Sequence, residues 1–352
     1  MHNSHDKKYR VACFDVSKHE FVNVSILHKF YDTRVYYRWQ LFLEDRSKGC
    51  VYINCNENNE FRDYLRCNNN FKLFSLLLIL IKLKKDKVIL FHDPIIMVLV
   101  PFIYLMGFRN IVFDSHEDVE KDILIKEYIF KPFRKLISFI YMVLLKICIF
   151  FFGLKVVSPS IAVCKKYCGS LIYNFPSSKI LIDNNEIVEY KSNKKAYGYF
   201  GTITKSRSID LLINIFRERS EKLYLIGSVN DIDIKGMLSS LPKNIIYIGD
   251  VSLDDAKNYF DLFDVGFCIP ILNSISHDAL PVKVFEYYYM NKIIISTKID
   301  VISKFNIENI HFTELDTMSI NNIIDNVNKL NSSKFSLVNK NKYRFESQLC
   351  VD

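Results

Sequence analysis

The stretch Ala279-Leu-Pro-Val-Lys-Val-Phe-Glu-Tyr-Tyr-Tyr-Met-Asn-Lys-Ile-Ile-Ile-Ser-Thr297 decides the fold class of this chain. Helix-forming residues follow Pro281, and the β-branched run Ile293-Ile-Ile295 after them is typical of a buried parallel strand. Lys283 and Glu286 are three residues apart, so they share one face near the N-terminus of the helix. That end of a helix presents free N–H groups and a partial positive charge, which suits a diphosphate. An ordinary helix-to-strand connection of any α/β protein is the alternative interpretation.

The order Pro-x-Lys-x-x-Glu-Tyr followed by a strand resembles the nucleotide-sugar signature of GT-B glycosyltransferases. It is most similar to the GT4-like (group 1) enzymes of bacterial surface polysaccharide biosynthesis, whose pattern is roughly Pro-Leu-Lys-Leu-Phe-Glu-Tyr-Leu-Ala-Ala-Gly-Lys-Pro-Val-Val. Asn291 stands where that pattern has Gly, and Ile293-Ile294 where it has Pro-Val. The resemblance implies an α/β GT-B fold, with two doubly wound Rossmann-like domains and an interdomain cleft. It also implies that the donor is held by Pro281, Val282, Lys283 and Glu286, with Glu286 on the ribose hydroxyls.

The composition excludes several other classes. Hydrophobic residues make up 49% and charged residues 24% of 352 residues, which indicates a globular chain with room for two domains. The net charge of +8 favours an acidic partner. No zinc-finger or RNP motif accompanies the scattered basic residues, so an anionic membrane surface and a nucleotide are favoured over nucleic acid. Nine cysteines without a CxxC pair and a polar N-terminus without an apolar signal core predict a cytosolic protein with free thiols.

Strands alternate with helices in both halves of the chain, which predicts parallel sheets covered on both faces. We expect an acceptor-side Rossmann-like domain over 1–176, a polar linker over 177–195, a nucleotide-sugar-binding Rossmann-like domain over 196–330 and a helical tail over 331–352 that could pack back on the first domain. The predicted strands are 9–16, 50–55, 88–91, 110–114, 156–158, 171–173, 196–200, 223–226, 245–248, 265–269 and 293–296. A helix is expected over 71–85, and one long helical stretch over 120–152.

Gly201-Thr-Ile-Thr-Lys-Ser-Arg207 follows the first strand of the second half. Glycine there lets the backbone approach a ligand, and the next helix, for which Ser208 is a suitable N-cap, directs its N-terminus to the same place. GT4 enzymes carry Gly-Arg at this point and a Lys about five residues on. Thr202 replaces that Arg and cannot clamp phosphate, whereas Arg207 replaces the Lys and can clamp it bidentately. Lys205 and Arg207 could equally be solvated loop charges.

Asp278 lies eight residues before Glu286, a near-match to the Glu-x7-Glu motif of the same family. The resemblance implies that the first acid of this motif approaches the donor sugar. Because Asp278 is shorter than Glu, it reaches less far toward that sugar.

Two polar clusters follow consecutive strands of the first half: Phe91-His-Asp-Pro94 and Phe113-Asp-Ser-His-Glu-Asp118. They resemble the His-Asp-Pro and Asp-Ser-His-Glu pair of these glycosyltransferases, and polar groups at strand C-termini face the cleft of an open α/β sheet. His116 could orient the donor or assist proton transfer, and Asp114, Glu117 or Asp118 could be the general base of an inverting mechanism. Ser115 or Asp118 could also cap the next helix, and both roles can hold.

Asp231-Ile-Asp233 matches the DxD metal motif of GT-A enzymes. The pair begins a helix, however, where acids in the first turn are favourable without any metal. We therefore expect no metal site and no cofactor, with Lys283, Arg207 and helix N-termini stabilising the diphosphate leaving group.

Residues 136–154 are almost continuously apolar and nearly long enough to cross a bilayer. Lys146 lies at the centre, which is costly in hydrocarbon, and Lys131, Arg134 and Lys135 precede the segment. This pattern suits a helix lying on an anionic membrane, and a buried domain helix is the alternative. The strands predicted on either side must join one sheet, which argues against spanning.

The resemblance to GT4-like enzymes implies a hexosyltransferase-like enzyme that moves a sugar from a nucleotide-sugar onto a growing lipid-linked or oligosaccharide acceptor of a surface glycan such as O-antigen, capsule or exopolysaccharide. We expect it in the cytoplasm, peripherally associated with the inner face of the cytoplasmic membrane. A nucleotide-sugar epimerase on the same fold is one alternative. A catalytically inactive, membrane-associated homologue that acts as a binding protein is the other.

Overall fold

The computed structural model describes residues 24–28, 51–54, 64–66, 88–116, 118–125, 129–176, 187–190, 194–229, 231–251, 255–271, 280–335 and 343. The chain divides into two compact units, residues 1–174 with 348–352, and residues 175–347. Each unit is an α/β domain built on its own parallel sheet.

The first unit contains a seven-stranded parallel sheet in the order β3-β2-β1-β4-β5-β6-β7. The strands are β1 Val24–His28, β2 Val51–Asn54, β3 Tyr64–Arg66, β4 Val88–Phe91, β5 Asn110–Asp114, β6 Lys155–Ser158 and β7 Ser170–Leu171. The strand order reverses between β1 and β4, which is the doubly wound topology. The predicted strand 9–16 and helix 71–85 lie outside the described residues, and β1 and β3 were not expected.

A 3₁₀ helix Pro94–Leu99 and the helices α1 Val100–Leu105, α2 Val119–Ile125, α3 Lys131–Phe152 and α4 Ile161–Tyr167 accompany this sheet. The prediction of one continuous helix over 120–152 was wrong, because Pro132 lies in the first turn of α3. Proline lacks an N–H and clashes with the preceding turn, so it is tolerated at a helix start and not inside a helix. Gly153, in the left-handed region at φ 61°, ends α3.

The second unit contains a six-stranded parallel sheet in the order β11-β10-β9-β12-β13-β14, which reverses between β9 and β12. Its strands are β9 Tyr197–Phe200, β10 Leu223–Ile226, β11 Ile245–Gly249, β12 Val265–Cys268, β13 Ile293–Thr297 and β14 Ile310–Thr313. Its helices are α5 Ile209–Arg217, α6 Ile232–Leu238, α7 Ala256–Phe260, α8 Val282–Tyr289 and α9 Thr317–Asn328. The central strands are apolar on both sides because helices cover both faces, so Ile293 and Ile295 are fully buried.

The structure changes the expected roles of the polar stretch 177–195 and of the tail. A strand β8, Ile187–Glu189, pairs antiparallel with β15, Ser332–Lys334, so part of the expected linker is a strand of the second unit. The tail is not helical at 332–334, and Tyr343 packs against Phe285 and Phe305 of the same unit. Cross-strand hydrogen bonds rather than apolar periodicity form β8 and β15, which is why polar sequences concealed them.

Candidate functional site

The candidate ligand site of the second unit lies at the carboxyl ends of β9 and β12, where the strand order reverses. Ligands of open α/β sheets bind at such a switch point. Gly201 follows β9, Cys268 ends β12, and α8 begins after Pro281, whose backbone has φ −73° and ψ 111°. Proline fits this boundary because its fixed φ begins a helix readily and it has no N–H to satisfy.

Lys283 lies against the backbone of Gly201. Its ammonium is 3.7 Å from the centroid of the Tyr199 ring, a cation–π contact. Gly201 has φ +133°, and a Cβ placed on it would lie 2.5 Å from the Lys283 Nζ. The absent side chain therefore makes room for the ammonium and leaves the Gly201 backbone open at the strand end.

Glu286 lies in α8 about one helical turn after Lys283, toward the C-terminus of the helix. Burial raises the pKa of its carboxyl, and the neighbouring Lys283 cation partly offsets this by lowering it. Burial also raises the pKa of the Cys268 thiol, against the opposing charges of Lys283 and Arg207. The two cations, the carboxyl and the thiol thus lie within electrostatic range of one another at the end of β12.

Arg207 and Lys205 lie in a short 3₁₀ helix between β9 and α5. Lys205 forms an ion pair with Asp233, so its charge is partly satisfied inside the protein. Thr202 is exposed, and its carbonyl accepts a hydrogen bond from the Tyr199 hydroxyl at 2.9 Å. The structure therefore places Arg207, rather than Lys205, with Lys283 and Glu286.

The prediction that Ser208 caps α5 was wrong. Ser208 has φ 57°, in the left-handed region, and its side chain makes no capping hydrogen bond. It is 2% exposed, and its hydroxyl has no hydrogen-bond partner among the described residues. The 3₁₀ turn before it delivers the chain to α5 through this unusual backbone conformation, so the extended geometry that an N-cap requires is not available.

Asp231 and Asp233 have local roles. Asp231 accepts hydrogen bonds from the backbone N–H groups of Asp233 and Ile234 and is the N-cap of α6, so these acids belong to a helix start as the sequence predicted. Among the described residues, no group of three or more His, Cys, Asp or Glu side chains is placed to hold a metal ion.

The candidate catalytic groups of the first unit lie at the carboxyl ends of β4 and β5. The His116 Nε2 is 3.3 Å from an Asp114 carboxylate oxygen, and Asp114 is 1% exposed. The His92 ring meets the His116 ring edge-on, with centroids 6.2 Å apart. Below them Phe91 and Phe113 stack at 5.1 Å, so the polar pair rests on a packed apolar layer.

Asp118 lies in a different environment from Asp114. It is 3.6 Å from the ammonium of Lys121 and 3.9 Å from that of Lys166, which also binds Glu120 at 2.7 Å. Its carbonyl accepts the N–H of Asp122 at the start of α2. Asp118 is thus held by ion pairs with two lysines, whereas Asp114 lies against the His116 imidazole.

Glu117 and Asp278 were predicted as site residues and lie outside the described residues. Sequence reasoning missed Lys166 and Glu120. An acid in the first turn of α2 was the available signal for Glu120, whereas nothing in the sequence connects it with Lys166, 46 positions further on.

No protein-family model and no curated protein sequence matches this chain. Solved structures do match it across both units. HepE from Anabaena, in complex with UDP and glucose, has a TM-score of 0.61 at 10% identity and covers 93% of each chain. Sucrose-phosphate synthase from Thermosynechococcus elongatus has a TM-score of 0.61 at 11% identity, covering 93% of this chain and 96% of that one. WaaG, a glycosyltransferase involved in lipopolysaccharide biosynthesis, has a TM-score of 0.59 at 9% identity, covering 93% and 94%. The fold of this chain is therefore GT-B, as its sequence predicted.

Proposed function

We propose that this protein is a glycosyltransferase that moves a sugar, a hexose in our preferred scheme, from a nucleotide-sugar to a growing lipid-linked surface glycan. The observation that carries the proposal is the arrangement of Lys283, Gly201 and Glu286 at the switch point of the second sheet. It combines a cation, an open backbone and a buried carboxyl, which are the groups that a nucleoside diphosphate requires.

The donor is assigned to the second unit. Lys283 and Arg207 bind the diphosphate, and the N-terminal N–H groups of α8, at Val282 and beyond, add a partial positive charge. Glu286 accepts hydrogen bonds from the ribose hydroxyls, a role for its ionised form. As the bond between the sugar and the phosphate breaks, negative charge builds up on the diphosphate, and the two cations stabilise it without a metal.

The first unit supplies the proton acceptor. An acceptor hydroxyl forms the new bond to the anomeric carbon, the nucleoside diphosphate leaves with the bonding electron pair, and the hydroxyl proton passes to the His116 imidazole. Asp114, 3.3 Å from that imidazole, stabilises the imidazolium that results. Asp118 is not assigned as the base, because its carboxylate forms ion pairs with Lys121 and Lys166 rather than with the imidazole.

Charge and hydropathy support the proposed acceptor and the proposed place of action. The net charge is +8, and α3 exposes an apolar face, so we assign the protein to the inner, anionic face of the cytoplasmic membrane. WaaG, similar in fold, is involved in lipopolysaccharide biosynthesis and supports a lipid-linked acceptor.

A thermal-shift screen with UDP-, GDP-, dTDP- and CMP-sugars tests the proposal first, since the true donor raises the midpoint of unfolding by mass action. The stabilising donor is then incubated with membrane lipid extract, and transfer of labelled sugar to lipid is measured. His116→Ala should abolish transfer and keep the donor-induced shift. Donor epimerisation without an acceptor would establish the epimerase instead, and donor binding without turnover in any extract would establish an inactive homologue.

A further inference from the structure

The first unit exposes a large apolar surface on two neighbouring helical segments. From α3 the outward side chains are Leu136, Phe139, Ile140, Val143, Ile147 and Phe150, of which Phe150 is 81% exposed. From residues 94–105, which pack against α3, the exposed side chains are Ile95, Val98, Phe102 and Leu105, the last at 77%. We call these ten side chains the apolar face. Soluble monomers rarely expose a contiguous apolar patch of this extent without using it.

The sequence of α3 explains why the face exists. Its inward stripe, Ser138, Tyr141, Leu145 and Cys148, follows helical spacing and packs on the core of the first unit. The side of the helix opposite this stripe is apolar as well. Only 17% of the most hydrophobic 18 residues of α3 are buried. A helix that is hydrophobic all round belongs in a protein core or in lipid. Among the residues that the structure describes, one side of α3 therefore packs on protein and the other does not.

The fold excludes a spanning role, although α3 is long and apolar enough to cross a membrane. The strands before and after it, β5 and β6, are adjacent and parallel in one sheet, with Val112 opposite Lys155. The inward stripe of α3, from Ser138 to Cys148, packs on the core of the first unit over a length of ~15 Å. Crossing a bilayer would expose the strands and this stripe to hydrocarbon, so the helix lies along the protein surface.

Charge identifies what covers the face. The segment Lys131–Phe152 contains four basic residues and no Asp or Glu. Lys135 and Lys146 are about three turns apart and so lie on the same flank of α3, where long side chains can extend from apolar surroundings to phosphate groups. A protein partner would need acids opposite those lysines, whereas an anionic lipid surface supplies phosphates around a hydrocarbon layer. Arg134, which the sequence assigned to the membrane, instead binds the carbonyls of Ile129 and Leu124 and holds the end of α2 against α3.

We propose that the apolar face rests on an anionic lipid bilayer, with α3 parallel to the membrane plane and Lys135 and Lys146 at the level of the phosphates. Ser138 of α3 donates a hydrogen bond to the carbonyl of Glu120 in α2, the helix that begins three residues after His116. This contact connects α3 with the segment that carries the candidate base, and together with membrane seating it favours an amphiphilic acceptor. That last consequence rests on the proposed function, and membrane seating itself does not.

The test is co-flotation of the whole chain with vesicles of phosphatidylcholine alone and with added phosphatidylglycerol. We expect binding to the anionic vesicles, and a loss of at least tenfold for the double variant Val143→Glu with Phe150→Glu. Lys135→Glu with Lys146→Glu should remove the preference for anionic lipid. Ile232→Glu with Met318→Glu is the matched control, because both side chains are highly exposed and lie in the second unit, and it should bind as the wild type does.

A Phe150→Trp variant reports depth through quenching by brominated lipids, after subtraction of the signal from Trp39. Quenching by lipids brominated near the headgroup supports seating in the interface, and quenching at the bilayer centre would overturn the parallel orientation. Wild type that remains unbound on anionic vesicles at low salt would overturn the proposal. If such a protein sediments as a dimer that Val143→Glu with Phe150→Glu dissociates, a second copy covers the face. Circular dichroism of each variant excludes unfolding, and none of these readouts depends on transferase activity.

Discussion

Replacing Lys283 with methionine is the sharpest test of the donor site. Methionine keeps an apolar stem of similar length against Tyr199 and removes only the ammonium. A charge-assisted contact to a diphosphate is worth about 1.5–3 kcal/mol, which corresponds to a loss of roughly 10- to 150-fold in affinity. The lost cation–π contact costs about 0.5–1 kcal/mol of stability, too little to unfold the domain.

Isothermal titration of the stabilising nucleotide-sugar measures the affinity of each variant. Lys292→Met is the matched control. Lys292 directly precedes β13, so it lies at the amino ends of the strands, whereas Lys283 lies at their carboxyl ends. The Lys292 ammonium is 5.8 Å from the centroid of the Phe263 ring. Burial lowers the pKa of the Lys292 ammonium, so its replacement is expected to change stability. Its position before β13 keeps the change away from the donor site at the carboxyl ends. Unchanged affinity in Lys283→Met, or an equal loss in the control, would refute the assignment of Lys283 to the diphosphate.

Three further outcomes are expected. Because burial raises the pKa of Glu286, its contribution to stability is greatest below the unfolded value of about 4.3 and falls as pH rises through the folded pKa. Donor affinity should rise over that same interval as the carboxyl ionises, and Glu286→Gln should flatten both profiles in titrations across pH. Transfer activity should survive EDTA. Asp231→Ala should lower the thermal midpoint of unfolding, because the N-cap of α6 is lost, without creating a requirement for Mg²⁺; activity restored only by added metal would contradict this. Tyr343→Ala should lower the free energy of unfolding of the second unit by about 3–5 kcal/mol, measured by denaturant unfolding. The substitution removes a buried ring and its hydrogen bonds with Asn306. Met318→Ala is the control and should have little effect, because Met318 is 75% exposed.

The sequence was most informative where the residues themselves impose the structure. The run Ile293-Ile-Ile295 is β-branched and apolar, so a buried strand is its only low-energy use, and β13 lies there. Pro281 likewise marks the start of α8, because a proline suits a helix start and little else in this context. The alternation of such segments with helices in both halves accounts for the two parallel sheets, and the resemblance of the 279–297 stretch pointed to GT-B.

Long-range contacts account for what the sequence could not reveal. Arg134 reads as one more membrane-facing cation, and only the packed end of α2 shows that carbonyls hold its guanidinium. Asp114 and Asp118 are equivalent carboxylates in the sequence, and they differ because Lys166, from a helix beyond β6, reaches one of them. Ser208 has the ideal residue type for a cap, yet the preceding turn fixes it in the left-handed region.

The aromatic cluster around Tyr343 is completed only late in the translation of this chain. Phe175, Phe285, Phe305 and Tyr343 pack together on the side of α8, the helix that presents Lys283 and Glu286. The ribosome makes Phe175 first and Tyr343 last, roughly 10–30 s apart at ordinary elongation rates. During that interval the second unit lacks both the ring that completes this cluster and the β15 strand that pairs with β8. A nascent chain therefore lacks the ring that completes this cluster beside α8 until Tyr343 has been translated, and we expect a chain that terminates before residue 343 to unfold more readily than the full chain.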